Sequence, residues 1–155
     1  MRSIAGACRD DLGVEGTGKK HGAVVLSIRQ PWVELILSGR KPIEVRTWRT
    51  KHRGALWLHA GLRIDAHACA AYGVPTTGLT IGAIVGSVDV EDCIEFSEET
   101  WRELQHDHLN VVPFDRPYFG WLLRNPKRVQ PIPIRGALGL FIVPHATFTS
   151  RIRHA

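Results

Sequence analysis

The chain is 155 residues long, which leaves room for one domain with its own core and too little for two. Its apolar fraction of 44 % and charged fraction of 23 % are those of a globular domain, and no apolar run approaches the roughly 18 residues of a membrane-spanning helix. The net charge of +5 is too modest to name a partner by itself, so its distribution along the chain has to carry the argument.

Residues 1–21 are rich in glycine and charge and lack periodicity, which predicts a disordered leader. No continuous apolar segment follows Arg2, so a secretory signal is not expected. Cys8, Cys69 and Cys93 are widely spaced and odd in number, which argues against a disulfide framework and for a reducing, cytoplasmic setting. Ala23–Ile28 reads as a β-strand. Gln30–Pro31 then opens a short helix with Trp32, Leu35 and Ile36 on one face, and Gly39 ends it.

Lys41–Trp48 alternates with period 2: Ile43, Val45 and Thr47 face one way, and Glu44, Arg46 and Trp48 the other. Arg53–Gly54 is a turn, and Ala55–Ala60 a second strand with Trp57 and His59 on one face. Leu62–Tyr72 has helical spacing and 74–78 is a loop. Ile81–Phe96 is β-branched and punctuated by Gly82 and Gly86, which suits a strand with bulges or tight corners.

Ser97 caps a surface helix running to His106. Tyr118–Arg124 is a strand closed by Asn125–Pro126. Val129–Ile134, with Pro131 and Pro133, is confined to a sheet edge, and Gly139–Val143 is the last strand. These elements predict an α+β domain over 22–145: a small, mostly antiparallel β-barrel with two or three peripheral helices, followed by a basic tail over 146–155.

Charge is laid out in blocks. Ser27–Ala60 holds Arg29, Arg40, Lys41, Arg46, Arg49, Lys51 and Arg53 among Trp32, Trp48 and Trp57, against Glu34 and Glu44 alone. Asp89–Asp107 carries eight acids against Arg102, and from Arg116 onward there are seven cations and no acid. Cations interleaved with aromatics are what a phosphate backbone and an unstacked base each require. The candidate binding residues are therefore Arg29, Gln30, Lys41, Arg46, Trp48, Arg49, Arg53, Trp57 and His59, with single-stranded RNA or DNA as the favoured partner. The acidic segment 89–107 is a candidate surface for a basic protein partner. For Trp32, Glu44, Arg46 and His59 the competing reading is structural: core packing for the tryptophan, a fold-fixing ion pair for Glu44 and Arg46, a satisfied wall position for the histidine. His67-x-Cys69 and His106-x-His108 have ligand-like spacing but no partner pair, so no metal is assigned. No cofactor fingerprint is present.

Three motifs in order, Leu26–Trp32 (LSIRQPW), Ser38–Trp48 (SGRKPIEVRTW) and His52–Ala60 (HRGALWLHA), resemble the ASCH domain family, a branch of the PUA-like barrels. The family pattern G-x-K-x-x-E-x-R stands here as Gly39, Lys41, Glu44 and Arg46. Gly86–Cys93 and Arg124–Pro126 fall where later strands of such domains lie, and the likeness covers roughly 23–145. The resemblance implies a PUA-like barrel whose signature strand and following helix line a cleft, with RNA or DNA binding as the associated function. It also leaves an enzyme open, either an amidohydrolase acting on N4-acetylcytidine or a ribonuclease, with Lys41 and Glu44 as the catalytic candidates. The amidohydrolase branch typically has threonine where this chain has Glu44, and a carboxylate there tends to keep Lys41 protonated.

Overall fold

The computed structural model describes residues 22–149; the predicted leader over 1–21 and the end of the basic tail lie outside the described residues. Six strands form one mixed sheet in the order β2-β5-β4-β3-β1-β6. They are β1 (Ala23–Gln30), β2 (Ile43–Arg46), β3 (Gly54–Ile64), β4 (Ala83–Glu95), β5 (Phe119–Pro133) and β6 (Leu140–Val143). Five short helices accompany them: α1 (Trp32–Leu37), α2 (Ala66–Tyr72), α3 (Glu98–Glu103), α4 (Gln105–His108) and α5 (Ala146–Thr149). All strand pairs are antiparallel except β1 with β3. The α+β class holds. The barrel, however, is not closed by backbone pairing, because β2 and β6 stand at opposite ends of the strand order.

Both faces of the sheet are buried, which follows from the near-continuous apolar runs of β1 and β4. Leu26, Leu58, Val88 and Trp121 point to one face, where α1 adds Val33, Ile36 and Leu37. Their sequence neighbours supply the other face: Val25, Ile84, Ile132 and Val143 pack with Trp57, Phe141 and Phe148. A third cluster, Ile43, Phe96 and Trp101, fixes β2 against α3. Residues predicted on opposite faces of β2 separate as expected: Ile43 and Val45 join this cluster, and Glu44 and Arg46 leave it.

Two element boundaries move. Leu62–Ile64 continues β3 instead of starting a helix, because Ile64 pairs with Gln30 of β1. Asp65 then starts α2, its carboxylate accepting from Ala68 N at 3.0 Å. Asn125–Pro126 does not close a strand either. Asn125 adopts a left-handed φ of 53°, and β5 runs on through register shifts to Pro133. Since β2 pairs only Phe119–Leu122, the half of β5 carrying Pro131 and Pro133 is an edge, as its prolines require. Ser97 caps α3 in a full capping box, closed by the Thr100 side chain.

Candidate functional site

The open side of the sheet is the place to look, because unpaired strand edges leave backbone groups available. β6 pairs β1 only from Ala23 to Leu26, so on that side β1 is uncovered from Ser27 onward. β2, four places away in strand order, curls round to meet it: the Arg46 guanidinium donates from Nη2 to Ser27 O at 3.0 Å. The barrel seam is thus bridged by a side chain where a backbone ladder is missing. A cavity of about 200 Å³ occupies this seam, lined by Ser27, Ile28 and Arg29 of β1 and Glu44, Val45 and Arg46 of β2, with Trp32, Lys41 and Asn110.

Lys41 is buried, and its ammonium is held by backbone. Nζ donates to Ile43 O at 2.8 Å and to His108 O at 2.5 Å, and it lies 5.3 Å from the Trp32 ring centre. Glu44 stands between the cations, 3.8 Å from Lys41 Nζ and 3.3 Å from Arg46 Nε. Burial lowers the Lys41 pKa and Arg46 adds to that, whereas Glu44 pulls it back up. Arg46 Nε is buried and makes no hydrogen bond, since its approach to Glu44 is close but misaligned. The Arg46 side chain is 26 % exposed against 4 % for Lys41, so the guanidinium is the cation that can meet a ligand.

His108 is fully buried and organises the far wall. Its Nε2 donates to Trp101 O at 2.7 Å, and its Nδ1 accepts from Asn110 N at 3.0 Å, a pattern that only the neutral Nε2–H ring satisfies. Burial holds its pKa below the ordinary histidine value, and the nearby Lys41 lowers it further. Trp32 meets Tyr72 edge-on at 5.8 Å, and the Tyr72 hydroxyl donates to Leu109 O at 2.5 Å, tying α1 and α2 to the same wall.

Of the residues predicted to bind, Arg29, Lys41 and Arg46 line this cavity together with Glu44, and the other six do not. Gln30 is buried, donates to Thr80 O at 2.9 Å and accepts from Glu34 N at 3.1 Å, which braces the start of α1. Trp48 packs edge-on against Trp121 at 4.8 Å, and Trp57 packs against Phe148 at 4.6 Å. Arg49 pairs with Glu95 and Arg53 with Asp92, both at 3.2 Å. His59 is buried between Ser27 Oγ at 2.8 Å and Ile134 O at 3.0 Å. Trp32, for which core packing was the stronger reading, does pack on the main core and also lines the cavity.

Ser27, His108 and Asn110 were not singled out as site residues. His108 ends α4 and Asn110 follows it in the next loop, a long-range placement beside the seam with no local signal. The acidic segment is largely engaged: Glu91 pairs with Arg124, Asp92 with Arg53, Glu95 with Arg49 and Glu98 with Arg102, while the Asn125 amide donates to Asp89. No helix of the described residues is long and apolar enough to cross a membrane.

The sequence matches the model of the ASCH domain over residues 26–133. It is 30 % identical over 128 residues to activating signal cointegrator 1 of Homo sapiens, covering 74 % of this chain and 21 % of that protein. The Mus musculus protein of the same name is likewise 30 % identical, over 129 residues. The chain thus spans about a fifth of the length of these curated relatives. The crystal structure of the ASCH protein of Zymomonas mobilis superposes with a TM-score of 0.61 at 14 % identity, covering 86 % of this chain and 96 % of that one. A single-substitution variant of the same protein gives 0.61 at 13 % identity, covering 86 % and 98 %. The motif resemblance, the matched domain and the shared fold agree, and the chain belongs to the ASCH domain family.

Proposed function

We propose that the protein binds single-stranded nucleic acid, with one nucleotide entering the seam between β1 and β2. The observation that carries this reading is the unclosed seam itself: a concavity walled by Arg29, Lys41 and Arg46, with Glu44 as its one carboxylate and a strand edge at Ser27–Arg29 that β6 does not pair. At about 200 Å³ it is smaller than the roughly 300–1,000 Å³ of sites for drug-sized ligands, so it suits a single ring system or sugar-phosphate unit. Arg46 supplies a partly exposed, planar donor for a phosphate or base edge, and Trp32 supplies an aromatic wall. Glu44 and Ser27 O hold that guanidinium in place, and Lys41 adds to the positive potential of the hollow.

The test is fluorescence anisotropy with labelled single-stranded RNA and DNA. Arg46→Gln weakens binding about tenfold, or about 1.4 kcal/mol, with the melting transition retained. Affinity indifferent to Arg46→Gln and to Lys41→Met removes the assignment.

The buried Lys41, its pKa lowered chiefly by desolvation, favours a second reading in which its amine acts on a bound acylated cytidine or RNA. Turnover of N4-acetylcytidine or labelled RNA by the wild type, lost in Lys41→Met, separates catalysis from binding.

A further inference from the structure

A second hollow, of about 430 Å³, lies beside the first and shares Ser27 and Arg29 with it. Its other walls come from the end of β3 and from the β5–β6 connection, and they include Leu62, Arg63, Arg135 and Leu138. The connection is tightly held. Ile134 O accepts from His59, and the backbone at Gly136 lies so close to the Ser27–His59 pair that a Cβ there would stand 2.6 Å from Ser27 Oγ. Arg135 is therefore carried on a loop fixed against the same strand that carries Arg29.

The arginines of this hollow differ from most others on the molecule. Arg49, Arg53, Arg102, Arg116, Arg124 and Arg128 each pair with a carboxylate. The side chains of Arg29, Arg63 and Arg135 are exposed and make no hydrogen bond or ion pair with any described residue, and no acid lines the hollow. Leu62 and Leu138 stand 75 % and 99 % exposed beside them, which an isolated monomer gains nothing from presenting. The hollow around Gln30 shows the contrast: its Arg128 is held in a two-point fork by Glu34, at 2.8 and 2.6 Å.

We infer that the second hollow is the continuation of the nucleic-acid track. A phosphodiester strand with one nucleotide in the seam crosses Arg29, sets its next phosphates on Arg63 and Arg135, and lays a sugar or base face on Leu62 and Leu138. Three unpaired guanidiniums with no competing carboxylate match a polyanion, and apolar surface between them matches the faces of unstacked bases. The shared lining residues make the two hollows one path. This inference rests on the seam being the primary nucleotide site.

The experiment compares a mononucleotide with a single-stranded hexanucleotide, as RNA and as DNA, across a salt series. The double variant Arg63→Gln/Arg135→Gln, changed only at exposed positions, binds the hexanucleotide at least tenfold more weakly. Its log-affinity against log-salt slope becomes shallower by about 1.4, the loss of two single-strand phosphate contacts, and its mononucleotide affinity is unchanged. An unaltered hexanucleotide affinity and slope overturns the inference while leaving the seam reading intact, provided that Arg46→Gln still weakens binding. Loss in the double variant with no effect of Arg46→Gln overturns the seam reading and keeps the second hollow as a phosphate site in its own right. Absence of hexanucleotide binding at low salt overturns both.

Discussion

Glu44 is the residue on which the site's electrostatics turn. It faces one buried and one half-buried cation, and removing it leaves both without a counter-charge in a poorly hydrated wall. Deleting one partner of a buried ion pair costs about 3–5 kcal/mol, because the remaining charge keeps its desolvation penalty. Glu44→Gln is therefore expected to lower the unfolding free energy by about 3 kcal/mol in urea. Arg49→Ala, which breaks the exposed pair with Glu95, is expected to cost less than about 1 kcal/mol in the same assay. His108 makes a second prediction at this scale. Its ring is satisfied only when neutral, and its folded pKa lies below 6.5. Below pH 6.5 the unfolded chain takes up a proton that the native ring refuses, so this group's contribution to stability falls as pH drops from 6.5 toward the native pKa. An imidazole ¹⁵N titration is expected to show the Nε2–H tautomer and a midpoint under 6.5.

At the scale of elements, β4 and β5 carry the strain of bending the sheet far enough to bring β2 toward β1. Their pairing shifts register three times, and one shift surrounds Gly86. A Cβ at Gly86 would stand 2.5 Å from Lys127 O, a backbone atom that cannot swing aside, and equally close to Leu37 of α1. Gly86→Ala is expected to destabilise by at least about 1–3 kcal/mol, read from the urea midpoint, as overpacking does. The capping box of α3 is a smaller term: Ser97→Ala is expected to cost about 1 kcal/mol. These elements were readable where the cause was local. The period-2 alternation of β2, the capping serine and the bulge-prone glycines each announced themselves. The end of β3 did not, because Leu62–Ile64 is strand only through pairing with Gln30, and the helical spacing of the adjoining Ala66–Tyr72, which does form α2, extends back over it. The prolines of β5 correctly marked an edge, but not that they share one continuous strand with the segment predicted over Tyr118–Arg124.

For the whole molecule, the sequence predicts that Lys41, Glu44 and Arg46 lie together, and it does not say which other cations line the same cavity. Glu44 and Arg46 share β2, and Lys41, two residues before it, comes together with them as expected. Arg49, Arg53 and Trp48, on the loop that follows, lie outside this cavity and meet Glu95, Asp92 and Trp121, partners at least 39 positions away. Within the acidic segment, Asp92 and Glu95 face those two arginines, and Glu91 and Glu98 face Arg124 and Arg102. Arg29, Arg63 and Arg135, whose side chains face no carboxylate among the described residues, lie along one path that starts at the Glu44-paired Arg46 and crosses the two adjoining hollows. The central claim is that the unclosed seam between β1 and β2 receives a nucleotide. It is tested most directly by a ¹H–¹⁵N correlation titration with mononucleotides and short single-stranded oligonucleotides. The account predicts that mononucleotides move the amides of Ser27, Ile28, Arg29, Val45, Arg46 and Asn110, and that Arg46→Gln removes those shifts. Perturbations confined to residues outside the seam, such as Lys51 and Lys127, or no perturbation at low salt, would contradict it.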